Sequence, residues 1–246
     1  MSAAREPVLH GQTVVVIGGS AGIGLATARQ ARAEGAEVVL TARDPERLKR
    51  AAKEVGARVT ATFDVNELAD LEAFFARLDG PVDHVMVTAG RPYYSPLPTM
   101  DLEDARRALA EHPTVMLAVA RFAAATMRPG GTLVFMGGTG ARRPGVGLAV
   151  LAALTAALPA LTANLALEIA PVRVNLIAAG FVDTPLSASL LADKLDERRE
   201  QLRATLPIGR VVGPDDVAAL AVHIMANTAL TGATFDIDGG QQLVAR

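Results

Sequence analysis

Seven short runs of β-branched and apolar residues recur along the chain, each separated from the next by a longer Ala-, Leu- and Arg-rich stretch. That alternation limits the folds open to it. The runs are TVVVIG (13–18), AEVVLTA (36–42), ARVTATF (57–63), VDHVMVTA (82–89), GTLVFMG (131–137), VRVNLIA (172–178) and ATFDID (233–238). They are nearly continuous in apolar character, as strands buried on both faces of a parallel sheet are. Helical patterns fill the intervals at 22–34, 44–55, 66–78, 101–127, 147–169, 187–205 and 214–226. Asp44-Pro45-Glu46 sets a capping residue before a first-turn proline, and Gly213-Pro214-Asp215-Asp216 puts proline and acids at a helix start. Gly35, Gly56, Gly80 and Gly130 stand where helices would stop. The pattern predicts a doubly wound α/β fold. With no repeat, low-complexity tract or linker, one domain over residues 1–246 is expected.

Charge and composition exclude several function classes. A formal charge of −2 and a pI near 6.1 leave no basic footprint for nucleic acid or an anionic membrane. The absence of cysteine removes disulfides and thiolate metal sites, which fits a reducing, cytoplasmic location. His10, His84, His112 and His223 are scattered without metal-ligand spacing, so no metal is expected. MSAAREPVLHGQ has no apolar core of a signal peptide. The Ala-rich stretch from Gly147 to Ala166 is long enough to suggest a membrane span. Pro159, Thr155, Thr162 and Asn164 interrupt it, and a core or interface helix is the expectation.

The first strand runs straight into a glycine-rich turn, VVVIGGSAGIG, with Gly18, Gly22 and Gly24 spaced Gly-x-x-x-Gly-x-Gly. A turn without Cβ atoms lets a pyrophosphate approach backbone N–H groups, and the helix N-terminus behind it favours negative charge. Ser20 adds a hydroxyl donor, and Ile23 lies in the same turn. In this strand–turn–helix context the stretch reads as a nucleotide-binding site.

In this respect the chain resembles the short-chain dehydrogenase/reductase family, whose cofactor motif is Thr-Gly-x-x-x-Gly-x-Gly; Ile17 replaces the threonine. The resemblance covers nearly the whole chain and implies a Rossmann-type fold with a seven-stranded parallel sheet. VTAG (87–90) resembles the family's Asn-Asn-Ala-Gly, with Thr88 in the second Asn place and Ala89 and Gly90 as cofactor candidates. RVNLIAAGFVDTP (173–185) resembles the segment whose valine and threonine hold the nicotinamide carboxamide, which implies that role for Val182 and Thr184, beside Gly180. DIDGG (236–240) resembles the closing strand and turn. Asp64, next to Val65, matches an Asp that bonds the adenine amino group, or else caps the helix near Asn66. At the end of the second strand Ala42 stands where a ribose-binding acid would fall, followed by Arg43. A guanidinium there suits a 2′-phosphate, so NADP(H) is favoured over NAD(H). The other reading of Arg43 is a solvated residue beside the cap Asp44.

Family members that reduce carbonyls use a Ser, a Tyr and a Lys four residues later, with an Asn on the preceding helix. Aligned through ANLALEIAP (163–171), GTLVFMGG (131–138) and HPTVMLAVARFAA (112–124), those places hold Gly138, Leu151, Thr155 and His112. No change of register restores them. The only tyrosines are Tyr93 and Tyr94, and no lysine lies between Lys53 and Lys194. Pro159 is expected to kink or weaken this helix.

Replacement chemistry has four candidate sources. Tyr93 and Tyr94, in RPYY after the fourth strand, are either an acid over the nicotinamide or a wall of the substrate pocket. His112 is either a proton shuttle or a partner for a carbonyl. Thr139 either supplies the hydroxyl of the missing serine or is a plain turn residue. Arg142 and Arg143 either clamp an anionic substrate or are exposed charge. The segment 181–207 resembles the family's substrate lid, with Leu186, Leu190, Leu191 and Leu195 able to close over a ligand. The leading expectation is an atypical NADP(H)-dependent oxidoreductase acting on a small carbonyl, enone or imine. Its rival is a non-catalytic NADP(H)-binding sensor or silent subunit. A homodimer or homotetramer is expected through the helices at 101–127 and 147–169, where Leu148, Leu151, Leu154 and Leu158 face either a partner or the sheet.

Overall fold

The computed structural model describes residues 6–244. Its strands are β1 (Thr13–Ile17), β2 (Glu37–Ala42), β3 (Val59–Thr62), β4 (Val82–Val87), β5 (Met127–Gly138), β6 (Arg173–Ala179) and β7 (Thr234–Ile237). They form one parallel sheet in the order β3-β2-β1-β4-β5-β6-β7. The helices are α1 (Gly22–Ala33), α2 (Pro45–Val55), α3 (Leu68–Ala76), α4 (Leu102–Ala124), α5 (Ala149–Glu168), α6 (Pro185–Leu191), α7 (Leu195–Thr205) and α8 (Pro214–Ala226).

Both faces of the sheet are covered over its central strands, which are apolar for that reason, whereas the edge strands β3 and β7 are exposed or only partly buried, contrary to the expectation for all seven. Val14, Val16, Val38, Leu40, Met86, Val134 and Ile177 pack with residues of α1, α2 and α8 such as Ala28, Leu48 and Ala221. Val15, Ile17, Val85, Leu133, Phe135 and Leu176 face the other way, onto Phe74, Phe75, Met116, Val119 and Leu158. Successive residues of β1 therefore feed opposite cores, each worth about 1.5–3 kcal/mol of burial per large side chain. The strand order reverses direction between β1 and β4, so a crevice opens at their carboxyl ends, where ligands of such sheets bind.

The caps form as predicted. The Asp44 carboxylate accepts from Arg47 N at 2.9 Å, and Asp216 accepts from Gly213 N at 2.9 Å. Asp101 caps α4 by accepting from the Glu103 and Asp104 amides. Three expectations are corrected. Gly130 lies inside β5, which starts at Met127 because Met127 pairs with Val82 ahead of a shift in register. Pro159 lies within α5, which stays helical from Ala149 to Glu168. The helix expected over 187–205 is two helices separated by a single turn at Ala192–Lys194, with Ala192 at φ +48°. Each piece is anchored separately: Thr184 caps α6 through Ser187 N, while Arg199 on α7 donates to both oxygens of Asp183 at 2.9 and 2.8 Å.

Among the described residues α5 is long and apolar enough to cross a membrane, yet only 22% of its most apolar stretch is buried in the chain. Leu154, Leu158, Leu161 and Leu165 join the core under the sheet. Ala153, Ala156, Ala157, Ala160 and Leu167 remain exposed on the same helix.

Candidate active site

At the carboxyl end of β1 the glycines of the turn are required by close approach. Gly18 adopts φ +92°, and a Cβ there would lie 2.7 Å from Thr88 Oγ1 and 2.8 Å from Ala89 N. A Cβ on Gly24 would fall 2.6 Å from Thr88 Oγ1 and closer still to the Gly18 carbonyl oxygen. Thr88 Oγ1 in turn donates to the Ile17 and Gly18 carbonyls, each at 3.2 Å, and straps the turn to β4. Sequence comparison registers Thr88 only as a replaced asparagine; its bonding to the turn needs β1 and β4 side by side.

The helix behind this turn begins without a side-chain cap. Ala21 occupies the N-cap position, and the first turn of α1 carries no acid. Its leading N–H groups therefore lack an intrahelical or side-chain acceptor, and the dipole favours an anion there. Ser20 and Ile23 are half-buried in the same turn. A dinucleotide's pyrophosphate fits this cradle.

On the adenosine side Arg43 and Asp64 face each other across the ends of β2 and β3. Arg43 Nη1 lies 3.5 Å from Asp64 Oδ2, with 77% of the arginine side chain exposed. Asp64 Oδ1 accepts from both the backbone and side-chain nitrogens of Asn66 at 3.0 Å, so the carboxylate orders the turn before α3. Val65 is buried in the core beneath. Asp44 directs its carboxylate to the α2 amide and is not a ribose acceptor.

On the opposite side, Gly180 touches the C-terminal turn so closely that a Cβ would lie 2.6 Å from Asp238 Cβ. Asp238 is a hub that sequence alone did not single out, accepting from the amides of Gly240 at 2.9 Å and Gln242 at 3.2 Å. Val182 is buried and bridges to Val212, and Thr184 approaches the glycine turn, 3.4 Å from where a Gly22 Cβ would be. The Arg173 and Asn175 of the same sequence motif serve the fold instead. Arg173, buried in β6, donates to the carbonyls of Gly130, Ile224, Met225, Asn227 and Leu230, and Asn175 donates to Leu230.

Gly138 and Thr155, at the places the family resemblance assigns to its serine and lysine, are close together. Gly138 sits at the end of β5, where a Cβ would lie 3.8 Å from the methyl of Thr155. The Thr155 hydroxyl is turned back onto its own helix, donating to the Leu151 carbonyl at 2.8 Å, and Leu151 is half-buried. Thr139 is fully buried with its hydroxyl 3.5 Å from Asp238 Oδ2.

His112 is a titratable side chain brought up to Met136 of β5 and to Gly90. Its Nε2 is 3.1 Å from the Met136 carbonyl, which can only accept, so Nε2 carries the hydrogen. Nδ1 then has the free lone pair of the neutral ring, and it lies 3.4 Å from where a Gly90 Cβ would be. Burial pushes the imidazole below its ordinary value, with the Met136 hydrogen bond opposing in part. Ala89, beside it, donates its amide to Ile17 at 3.2 Å.

Directly after Gly90 in the chain, Arg91, Pro92, Tyr93 and Tyr94 line a cleft of about 440 Å³ together with Leu190 of α6. The loop and the helix are about a hundred residues apart in sequence and meet only in the fold. The Tyr93 phenol donates to the Asp101 carbonyl at 3.3 Å, while Tyr94 is 54% exposed and its phenol is pushed up by partial desolvation. Arg142 forms a two-oxygen ion pair with Asp236, and Arg143 donates to the Gln242 and Val244 carbonyls. Both arginines hold the loop after β5 to the C-terminal segment, with Arg142 still exposed.

Comparison with known proteins agrees with this architecture. The family model described as enoyl-(acyl carrier protein) reductase matches residues 18–242. The chain is 30% identical over 250 residues to the short-chain dehydrogenase/reductase ATR9 of Stachybotrys chlorohalonatus, covering 95% of this chain and 98% of that protein. Among solved structures, the MalC reductase/Diels-Alderase of Malbranchea aurantiaca superposes with a TM-score of 0.88 at 26% identity, over 97% of this chain and 99% of that one. A small-chain dehydrogenase in complex with NADPH superposes with a TM-score of 0.81 at 27% identity, over 94% and 99%.

Proposed function

Because the chain belongs to the short-chain dehydrogenase/reductase family, we propose that it is an NADP(H)-dependent oxidoreductase of a small carbonyl, enone or imine that works without the usual tyrosine–lysine pair. The observation that carries the reading is the uncapped N-terminus of α1 behind glycines that admit no Cβ. Gly18, Ser20, Gly22, Ile23 and Gly24 would hold the pyrophosphate, Asp64 and Val65 the adenine side, and Ala89, Gly90, Gly180, Val182 and Thr184 the nicotinamide side. Arg43, weakly paired and largely in solvent, is free to turn onto a 2′-phosphate. The NADPH-bound structural relative supports that choice. When bound, the cofactor supplies or receives hydride.

Proton handling falls to other groups. Neutral His112 offers a lone pair at Nδ1 and no hydrogen on that nitrogen, so it accepts a proton or orients a water before it donates. Tyr94, neutral at physiological pH, is the phenol with an exposed ring at the cleft; Tyr93, bonded to Asp101, serves as wall. An electron-poor C=C or C=N bond suits such weak acid assistance better than a plain ketone. The segment 181–207 acts as the lid, and the exposed alanine face of α5 is buried against a second copy of the chain in a homodimer or homotetramer, which sedimentation velocity reports directly.

A second reading, a non-catalytic NADP(H) sensor or silent subunit, is favoured by Leu151 and by the inward-turned Thr155 hydroxyl. The two separate in one assay: nicotinamide absorbance followed with NADPH against a panel of ketones, enones and imines. The oxidoreductase reading expects turnover that falls at least tenfold in His112→Ala or Tyr94→Phe and survives in Tyr93→Phe. NADPH binding with no turnover across the panel would establish the sensor, and no binding would defeat both.

A further inference from the structure

Resting on the oxidoreductase reading, we propose that the substrate is an amphiphile: an apolar ring or chain bearing a carboxylate or comparable anion, which Arg91 receives. The cleft that begins at the residue after Gly90 is of small-ligand size and is lined by Pro92, Tyr93, Tyr94 and Leu190, with Arg91 as the charged residue of that lining. No lining carboxylate neutralises that guanidinium, and among the described residues it has no hydrogen-bond or ion-pair partner. This sets it apart from the other arginines around the site. Arg142 is held by Asp236, Arg143 by two backbone carbonyls, Arg199 by Asp183 and Asp196, and Arg43 faces Asp64.

The apolar half of the ligand is indicated by what surrounds the cleft. Leu186 and Leu190 lie one turn apart on α6 and share a face, and Leu186 is 40% exposed. The loop carrying Tyr94 is joined to the loop after β5 by Ser95 N donating to the Gly147 carbonyl at 3.2 Å. Val146, next to that carbonyl, is 91% exposed, a further apolar side chain on the segment tied to the Tyr94 loop. A guanidinium in such a cleft pairs bidentately with a carboxylate once an apolar body has displaced water from around it. A purely neutral substrate would leave the cation unpaired under the lid, and a fully polar one would leave the leucines and tyrosines wet.

The test uses 4-phenylbutanoate, the isosteric 4-phenylbutanamide, and acetate as the bare anion, each titrated calorimetrically into the full chain with and without NADP⁺. The acid is expected to bind about five- to tenfold tighter than the amide, with acetate below detection at millimolar concentration. Arg91→Leu should bring the acid down to the amide's affinity, and Arg91→Lys should keep part of the difference. Tyr94→Ala should weaken acid and amide alike. NADPH affinity, titrated separately, should stay within about twofold in the Arg91 variants. Equal binding of acid and amide, binding of neither, or a preference that survives Arg91→Leu overturns the proposal. So does a loss of NADPH affinity in Arg91→Leu with the acid preference intact, which would give Arg91 to the cofactor. Failure to bind NADPH defeats the oxidoreductase reading itself, and the two failures are told apart.

Discussion

Gly24 has no room for one more carbon. An alanine methyl there would press on Thr88 Oγ1 and on the Gly18 carbonyl, both of them parts of the strapped turn. Neither neighbour is the loose end of a flexible side chain, so the turn itself must move, at about 1–3 kcal/mol. Gly24→Ala is therefore expected to lower NADPH affinity at least tenfold in a fluorescence titration; unchanged affinity would show that this turn is not the pyrophosphate site. Glycines of this kind are legible in sequence because their meaning lies in an absent atom. Arginines are not, since Arg91, Arg142 and Arg143 lie close in type and all near the same rim. Asp236 and the terminal carbonyls claim the last two and leave the first. Thr139 was a reasonable hydroxyl candidate by position, but the approach of Asp238, ninety-nine residues on, draws it inward.

At the scale of elements, α5 shows propensity yielding to packing. Pro159 cannot donate to the Thr155 carbonyl, yet the helix continues because Leu154, Leu158, Leu161 and Leu165 are held in the core on both sides of it. An interior proline opposes a regular helix by about 3 kcal/mol, while restricting the unfolded chain returns only about 0.4–1 kcal/mol. The first effect wins, so Pro159→Ala is expected to raise stability by about 2 kcal/mol in urea unfolding. A loss of stability would mean that the pyrrolidine ring fills space alanine leaves empty. The segment after β6 shows the opposite outcome. Its mixed-charge pattern predicts one helix, but Thr184 capping one end and Arg199 gripping Asp183 at the other demand two directions, and the chain turns at Ala192.

For the whole molecule, the acid limb of stability is set in part by a histidine remote from the cleft. His84 is buried in β4, its Nε2 2.6 Å from Gln12 Oε1 and its Nδ1 without a partner among the described residues. Burial, then the charge of Arg173, pushes it down to about 3 from an ordinary 6.5. The unfolded chain takes up this proton near 6.5 and the folded chain only near 3. Its contribution is thus fully present above that upper value and is lost as pH falls through the interval, by about 1.4 kcal/mol per pH unit. Urea unfolding of His84→Gln between about pH 5 and 6.5, above the carboxylate range, should show a slope shallower by up to that amount. Parallel slopes for the variant and the natural chain would contradict it.

The seven strands, the burial of the central ones on both faces, the glycine-rich turn and the Leu151 and Thr155 that stand at the family's tyrosine and lysine places were all written in local sequence. Each depends on a residue and its near neighbours: a β-branched run, a missing Cβ, a hydrogen-bond donor that is or is not in the chain. Only the tertiary structure decided which groups are free. The lone pair of His112, the unpaired guanidinium of Arg91 and the meeting of Tyr94 with Leu190 follow from which distant carbonyls and carboxylates arrive beside them. Hydrogen bonds and ion pairs act over about 3–4 Å, and no spacing along the chain fixes distances of that order between separate elements.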